Sequence, residues 1–270
     1  MVCKNGTLYL ENFTMDYIAF GRGTENLIIL PGLGDGLKTV RGMALPFSLM
    51  YRKAGSRYRV YVFSGRREME QGHTVQDMAE DVYAAAHALN IKKSHVLGVS
   101  QGGMTAQHLA IGHPDFVEKL ILTVTTDRLE EPYRTGIGNW MSMAEAGDYK
   151  GILIDTAERS YTEKYLKTAR PMYGIVAAVS KPKSFTRFHI MAQACLNHDT
   201  TELLDRILCP VLILGGGIDR IVGTEAAERL ASGITGAQKY IYEKFGHGTY
   251  EEAKDFQERV LAFLEKETNL

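Results

Sequence analysis

A serine between glycines is the first place where this sequence offers chemistry. Ser100 stands at the centre of Gly98-Val99-Ser100-Gln101-Gly102, between an apolar run and a segment with helical spacing. A G-x-S-x-G motif in that context presents a nucleophilic serine on a sharp turn from strand to helix. The flanking glycines are needed because a Cβ at either position would meet neighbouring backbone. The alternative is a serine at an ordinary helix N-cap, since so short a motif also arises by chance.

A nucleophilic serine needs a base, and His247 is the best placed of the eight histidines. It lies in Phe245-Gly-His-Gly248, after the last apolar run and before the last helical segment. The other seven histidines fall inside predicted strands and helices or in the polar middle of the chain, where surface or structural roles are expected. We therefore predict that His247 takes the proton from Ser100.

The base needs a carboxylate to orient it, and Asp219 is the expected one. It follows the apolar run Val211–Leu214 through three glycines, which lack the spacing of a dinucleotide-binding loop and the lysine of a phosphate loop. Asp127 also follows an apolar run and is a rival for the same role. In the chain the three residues come in the order Ser, Asp, His, which is neither the chymotrypsin order nor the subtilisin order.

The elements that position these residues alternate between short apolar runs and helical patterns, which predicts an α/β fold with a mainly parallel sheet flanked by helices. The first two strands read as an antiparallel start. The predicted strands are Thr7–Leu10, Met15–Phe20, Leu27–Leu30, Tyr58–Phe63, Ser94–Val99, Val117–Thr125, Val211–Leu214 and Lys239–Glu243. The helices predicted between and after them are Thr74–Leu89, Gln101–Ile111, Thr224–Leu230 and Glu251–Leu264.

The middle of the chain shows helical patterns and no convincing strand. We predict an all-helical cap, or lid, over residues 127–199 and an α/β core made of residues 1–126 and 200–270. The helices of the cap are expected at Asn139–Ala146, Tyr149–Ser160, Glu163–Val179 (broken at Pro171) and Phe185–Leu196. Apolar cap residues that could face a cleft and bind substrate are Trp140, Met141, Met172, Tyr173 and Phe188. Three cap arginines, Arg134, Arg170 and Arg187, are expected to be solvated surface charges, with binding of a substrate carboxylate as the alternative.

The amino-acid composition argues against several classes of partner and cofactor. The 31 Lys and Arg residues nearly balance 32 Asp and Glu residues, so we expect neither nucleic acid nor an anionic membrane surface as a partner. The three cysteines are widely spaced, which argues against a disulfide framework or a zinc site. No run approaches the roughly 20 apolar residues of a membrane span, and residues 1–6 do not resemble a signal peptide. We expect a cytoplasmic protein with no cofactor and no metal, either a monomer or a small homo-oligomer.

These residues together resemble the α/β-hydrolase fold superfamily, in its branch of lidded serine esterases, lactonases and cofactor-free haloperoxidases. The segments that carry the resemblance are Leu30-Pro-Gly-Leu-Gly34, Gly98–Gly102, Cys209–Asp219, and Gly246-His247 followed by Glu252. The resemblance implies an eight-stranded, mostly parallel sheet whose second strand is antiparallel, with the cap inserted after the sixth strand. It also implies that the backbone N–H groups of Leu33 and Gln101 form an oxyanion hole. Pro31 stands where relatives often have histidine, and Ser64-Gly-Arg-Arg67 departs from an Asp-x-Arg-Gly-like turn.

The predicted function is that of a serine hydrolase acting through an acyl-enzyme on a small to medium, mostly apolar carboxylic ester, lactone or thioester. A serine at this turn argues against dehalogenase or epoxide hydrolase chemistry, for which an aspartate is expected. Carbon–carbon bond hydrolysis and perhydrolysis on the same three residues are alternatives. A ligand receptor or signalling partner with slow hydrolysis is an alternative of another class.

Overall fold

The computed structural model of the protein describes residues 3–266, apart from the side chain of Pro132. The eight strands of these residues form one sheet in the order β1-β2-β4-β3-β5-β6-β7-β8. Only β2 runs antiparallel to its neighbours, and every other adjacent pair is parallel. The predicted eight-stranded, mostly parallel sheet with a reversed second strand is therefore confirmed. The strands are β1 (Lys4–Tyr9), β2 (Thr14–Gly21), β3 (Asn26–Leu30), β4 (Arg59–Arg66), β5 (Ser94–Val99), β6 (Val117–Thr123), β7 (Val211–Gly216) and β8 (Gln238–Tyr242).

Helices cover both faces of the sheet and the edge formed by the carboxyl ends of its strands. Two short helices between β3 and β4 were not predicted, and the predicted last helix is divided in two around residues 253–255. The helices are α1 (Ala44–Met50), α2 (Arg52–Arg57), α3 (Val75–Ala88), α4 (Gln101–Gly112), α5 (Glu131–Glu145), α6 (Tyr149–Ser160), α7 (Glu163–Ala169), α8 (Tyr173–Ser180), α9 (Thr186–Leu196), α10 (Ala226–Gly233), α11 (Thr249–Glu252) and α12 (Phe256–Leu264).

Burial on both faces explains why the central strands read as continuous apolar runs. All six residues of β5 are buried, and the same holds for β7. Successive residues of a strand point to opposite faces, so Ile28 and Ile29 of β3 enter two separate hydrophobic clusters. A sheet buried in this way leaves its carboxyl edge as the place where polar side chains can project.

The helices α5 to α9 lie between β6 and β7. Of these, α5, α6 and α9 form a third hydrophobic cluster with residues of α3, α4 and the loops at the carboxyl edge. A short turn of 3-10 helix interrupts the segment at Arg170–Met172, so α7 ends and α8 begins around Pro171 as predicted. Within residues 127–199 the described backbone contributes one isolated bridge, which joins Arg128 to Asp199. The segment therefore leaves the core and returns to it at adjacent points.

Across residues 3–266, no helix is both long and apolar enough to cross a bilayer.

His198, between α9 and β7, should make the fold sensitive to acid. Its ring is buried beside that of His108, with the ring centroids 5.3 Å apart, and burial lowers the pKa of His198 to about 3. An unfolded histidine has a pKa of about 6.5, so between these values only the unfolded chain takes up the proton. We expect the contribution of His198 to the free energy of unfolding to fall by about 1.4 kcal/mol for each pH unit below about 6.5.

Urea denaturation at pH 6.5 and pH 5 measures this effect. Relative to the His198→Gln variant, the unmodified protein should lose about 2 kcal/mol more between the two pH values. Parallel curves for the two proteins would contradict the prediction.

Candidate active site

Ser100 occupies the turn between β5 and α4 in a backbone conformation that few residues adopt. Its φ and ψ angles are 55° and −120°, and it is one of three non-glycine residues with positive φ among residues 3–266. Such a conformation costs about 1–3 kcal/mol and persists only where its surroundings impose it. Here the N–H of Ser100 donates to the carbonyl of Thr123 at 2.9 Å, and its carbonyl accepts from Oγ1 of Thr125 at 2.7 Å. The end of β6 therefore holds the strained turn.

The glycines of the motif are required by close backbone contacts. A Cβ on Gly98 would lie 2.4 Å from the carbonyl oxygen of Gly102. A Cβ on Gly102 would lie 2.1 Å from the carbonyl oxygen of Leu30. Both distances are far below van der Waals contact, so β3, β5 and α4 can approach this closely only with glycine at both positions.

His247 and Asp219 meet in a buried hydrogen bond at the carboxyl edge. Nδ1 of His247 lies 2.8 Å from Oδ2 of Asp219. The other carboxylate oxygen, Oδ1, accepts from the N–H groups of Ile221 at 2.8 Å and Val222 at 3.1 Å. Because an ionised carboxylate only accepts, Nδ1 must be the protonated nitrogen. The arrangement leaves Nε2 of His247 with a free lone pair that can take a proton.

Ser100 and His247 line the same cavity. Within residues 3–266 no hydrogen bond joins Oγ of Ser100 to His247, so the structure brings the two side chains to one cavity without forming that contact. Catalytic hydrogen bonds are often long before substrate binds. The three predicted residues therefore come together at one site. The hydrogen bond between His247 and Asp219 is formed, and the one between Ser100 and His247 is not.

Two unused backbone donors flank Ser100. Leu33 begins a 3-10 turn at Leu33–Gly36 and Gln101 begins α4, and the first N–H groups of a helix have no acceptor within it. In the described backbone neither N–H donates to another backbone carbonyl. A Cβ built on Gly32 would lie 3.2 Å from Cβ of Ser100, so the loop carrying Leu33 passes directly against Ser100.

The structure places the rival acid elsewhere. Asp127 is fully buried, and its carboxylate binds Arg128, Arg229 and Thr201. It is absent from the lining of the cavity. Asp219, and not Asp127, is therefore the carboxylate that the structure brings to His247.

The cavity has a volume of about 440 Å³, and most of its wall is apolar. Of the five predicted binding residues, Trp140 and Phe188 line it, while Met141, Met172 and Tyr173 do not. Met172 is 48% exposed, because the segment around the 170–172 turn and α8 packs on α6 and α7 away from the cavity. The expectation that these three residues face the cleft is not met.

Sequence reasoning missed a large part of the wall. One face of α6 lines the cavity, and each of its members has another member three or four residues away. They are Tyr149, Ile152, Leu153, Thr156, Ala157 and Ser160. The sequence contained a signal for this face, because these uncharged residues alternate at helical spacing with the charged residues Lys150, Asp155, Glu158 and Arg159.

A second nucleophilic atom on the wall is held inactive. Cys195 lines the cavity, but burial raises the pKa of its thiol to about 12. The thiolate is the reactive form of cysteine, so at neutral pH this side chain is an unreactive thiol. Ser100 is therefore the better candidate nucleophile in this cavity.

The three cap arginines divide between the surface and the interior. Arg170 is a surface charge, as predicted, and pairs with Glu158 and Glu163. Arg134 donates to the carbonyl of Leu196 at 2.6 Å. The prediction of a solvated charge is wrong for Arg187, whose side chain is 11% exposed and binds Asp35.

The family follows from this fold and site together with a match to known proteins. Residues 25–254 match the family model of the α/β hydrolase fold. The protein therefore belongs to the α/β-hydrolase fold family.

Its relatives within that family carry several activities. The chain is 28% identical over 226 residues to RutD of Caulobacter sp. (strain K31), provisionally named a carbamate hydrolase, covering 78% of this chain and 82% of that protein. It is 25% identical over 263 residues to a 2-hydroxy-6-oxononadienedioate/2-hydroxy-6-oxononatrienedioate hydrolase of Pseudomonas sp., covering 90% of this chain and 89% of that one. The enol-lactonase of Burkholderia xenovorans LB400 superimposes with a TM-score of 0.83 at 20% identity, over 97% of this chain and 100% of the other. That structural likeness shows a shared fold.

Proposed function

We propose that the protein is a serine hydrolase that cleaves a carboxylic ester, lactone or thioester of a small to medium, mostly apolar substrate. One observation carries the proposal. Ser100, held in the strained conformation of a nucleophile turn, opens onto the same cavity as His247, whose Nδ1 is engaged by Asp219. This arrangement supports nucleophilic catalysis with a base that is already oriented.

The proposed reaction has two halves with the same proton movements. Nε2 of His247 takes the proton of Ser100 as Oγ attacks the acyl carbonyl, and Asp219 stabilises the imidazolium. The oxygen of the tetrahedral intermediate accepts from the N–H groups of Leu33 and Gln101. Collapse breaks the bond to the leaving alcohol, which takes the proton from His247. Water then attacks the acyl-enzyme through the same base, releasing the carboxylic acid and restoring Ser100.

The residues that line the cavity favour a substrate with an apolar acyl or alcohol group. Trp140, Phe188 and the α6 residues Ile152 and Leu153 all line the cavity. The charged side chains on the wall are few, and Asp35 among them is already bound by Ser64, Gly65 and Arg187. A substrate that enters this space gains mainly from burial of its hydrocarbon.

Carbon–carbon bond hydrolysis is a second candidate, favoured by the relatives. The Pseudomonas relative is named for substrates that are keto diacids without an ester, so their hydrolysis must break a carbon–carbon bond. The same serine, histidine and aspartate could serve such a reaction. Lys38 lines the cavity and pairs with no acidic side chain in residues 3–266, so it is a candidate contact for a substrate carboxylate.

A series of p-nitrophenyl esters of increasing acyl length tests the ester proposal. Each methylene that enters the cavity should gain about 0.8 kcal/mol, roughly fourfold in kcat/KM, until the cavity is filled. In Leu153→Trp, which narrows the α6 wall, the preferred acyl chain should become shorter. The matched control Met172→Ala lies off the cavity and should keep the original preference.

The same assay with 2-hydroxy-6-oxo-6-phenylhexa-2,4-dienoate separates the two candidates. We expect the best ester to exceed this keto acid by at least about 100-fold in kcat/KM, a difference of roughly 3 kcal/mol. The reverse preference would establish carbon–carbon hydrolysis. Tight binding with turnover near background for every substrate would instead favour a ligand receptor.

A further inference from the structure

The oxyanion loop, residues 31–36, is attached to the cap by a buried arginine. Arg187 of α9 points into the core, and its Nε donates to the carbonyl of Arg66 at 2.8 Å. Nη2 donates to the carbonyl of Gly65 at 3.1 Å and to the carboxylate of Asp35, while Nη1 donates to the carbonyl of Asp35. The side chains of Arg187 and Asp35 are only 11% and 2% exposed. One guanidinium therefore holds both the backbone and the side chain of a residue two positions beyond Leu33.

Asp35 carries this attachment on to the end of β4. Its Oδ1 accepts from Oγ of Ser64 at 2.7 Å, and its Oδ2 accepts from the N–H of Gly65 at 2.9 Å. Ser64 Oγ in turn accepts from the N–H of Val40 at 2.9 Å. These bonds join the oxyanion loop, the end of β4 and α9 of the cap. They involve the segment Ser64–Arg67, which departs from an Asp-x-Arg-Gly-like turn.

The same helix also contacts the second expected donor. The amide of Gln101 donates through Nε2 to the carbonyl of Met191 at 2.7 Å, and Gln101 is buried. A Cβ on Gly36 would lie 2.8 Å from Cα of Phe188, so α9 rests directly on the loop. One face of α9 thus contacts Gln101 directly and rests on the 3-10 turn that begins at Leu33.

From these contacts we infer that Arg187 is a positioning residue for the oxyanion hole, and that it sets the Leu33 N–H through Asp35. The inference rests on the proposed hydrolase function. Arg187 is not part of the cavity lining, so it acts through Asp35 and not by touching substrate. A buried ion pair adds little net stability compared with apolar packing of the same volume. Its value here is a fixed geometry, because an oxyanion donor is effective only when it is aligned before the charge develops.

Four variants test this positioning role. They are Arg187→Met, Arg187→Lys, Asp35→Asn and the double variant Asp35→Asn with Arg187→Met. Three readouts are compared: kcat and KM for p-nitrophenyl butyrate, inhibition by butylboronic acid, and inhibition by a butyramide that binds without a covalent bond. The boronic acid adds to Ser100 and places an oxygen where the oxyanion would lie; the amide does not.

Arg187→Met should lower kcat about 30- to 300-fold, somewhat less than deletion of a donor. Inhibition by butylboronic acid should weaken by the same factor as kcat. KM and inhibition by the butyramide should change less than about twofold. The double variant should lose no more than the worse single variant, because both changes break one unit. Arg187→Lys should recover part of kcat. Arg170→Met, which removes an exposed cap arginine, is the matched control and should match the unmodified protein.

A folded Arg187→Met with unchanged kcat and boronate inhibition would overturn the inference. So would a rise in KM alone, which would place Arg187 in contact with substrate. If Arg187→Met does not fold, the near-isosteric Asp35→Asn and the charge-preserving Arg187→Lys supply the same readouts. Ser100→Ala is assayed beside them. Activity that survives in Ser100→Ala overturns the proposed function, whereas its loss with no effect at Arg187 overturns only the positioning role.

Discussion

Ser100→Ala should reduce kcat for the preferred ester by at least about 10⁴-fold, with little change in KM. Removal of a triad serine leaves only what binding and the oxyanion hole provide. Cys195 cannot take its place, because its thiol is buried and its pKa is raised to about 12. The measurement pairs steady-state kinetics with the intact mass of the protein after treatment with a fluorophosphonate. One adduct is expected on the unmodified protein and none on Ser100→Ala.

The control for this experiment is Ser142→Ala, an exposed serine of α5. It should keep both the activity and the adduct. Ester hydrolysis at an equal rate by Ser100→Ala, together with no adduct on the unmodified protein, would refute Ser100 as the nucleophile. An adduct that persists in Ser100→Ala would mean that another side chain reacts.

Asp219→Asn should lower kcat by about 10⁴-fold at pH 7, as in other triads where the acid is replaced by its amide. The amide has an N–H₂ group that can donate to Nδ1 of His247, which favours the proton on Nε2. That tautomer has no lone pair facing Ser100 and cannot act as its base. The hydrogen bond of 2.8 Å between Nδ1 and the carboxylate excludes the tautomer in the unmodified protein.

Asp127→Asn is the matched comparison, because Asp127 is equally buried but faces Arg128 and Arg229. It should keep kcat within a few-fold and lower the free energy of unfolding by about 1–3 kcal/mol, since the buried amide cannot accept from Arg128 and Arg229 as the carboxylate does. Both variants are assayed for kcat and for urea denaturation. A large loss of rate in Asp127→Asn with little loss in Asp219→Asn would reverse the assignment of the acid.

The sheet and the three candidate catalytic positions could be predicted because their signals are local. A strand buried on both faces reads as a short apolar run, and β5 was predicted with its observed bounds, Ser94–Val99. The residues that follow such strands in a parallel sheet come together at one edge. That rule alone brings Ser100, Asp219 and His247 to one end of the fold.

The surroundings of the site depend on how the cap docks, which helical periodicity does not specify. The pattern of α6 predicts a helix but not which neighbour its apolar face meets. For the same reason Met172 and Tyr173, apolar in type, lie off the cavity. The burial of Arg187 follows from its pairing with Asp35, about 150 residues away in sequence, and no local pattern links the two. Long-range pairing of this kind is visible only once the chain is folded.

The bridge between Arg128 and Asp199 has a consequence for how such a protein can diverge. Because residues 127–199 leave and rejoin the core side by side, a different helical segment could be exchanged there without altering the order of the strands. On the proposed function, the range of accepted acyl groups could then evolve apart from Ser100, Asp219 and His247. The exchange has one constraint, since an incoming segment must again present a guanidinium to Asp35 and a carbonyl to Gln101. The residues of α6 that line the cavity are therefore free to vary in sequence, while the residues of α9 are expected to change far more slowly.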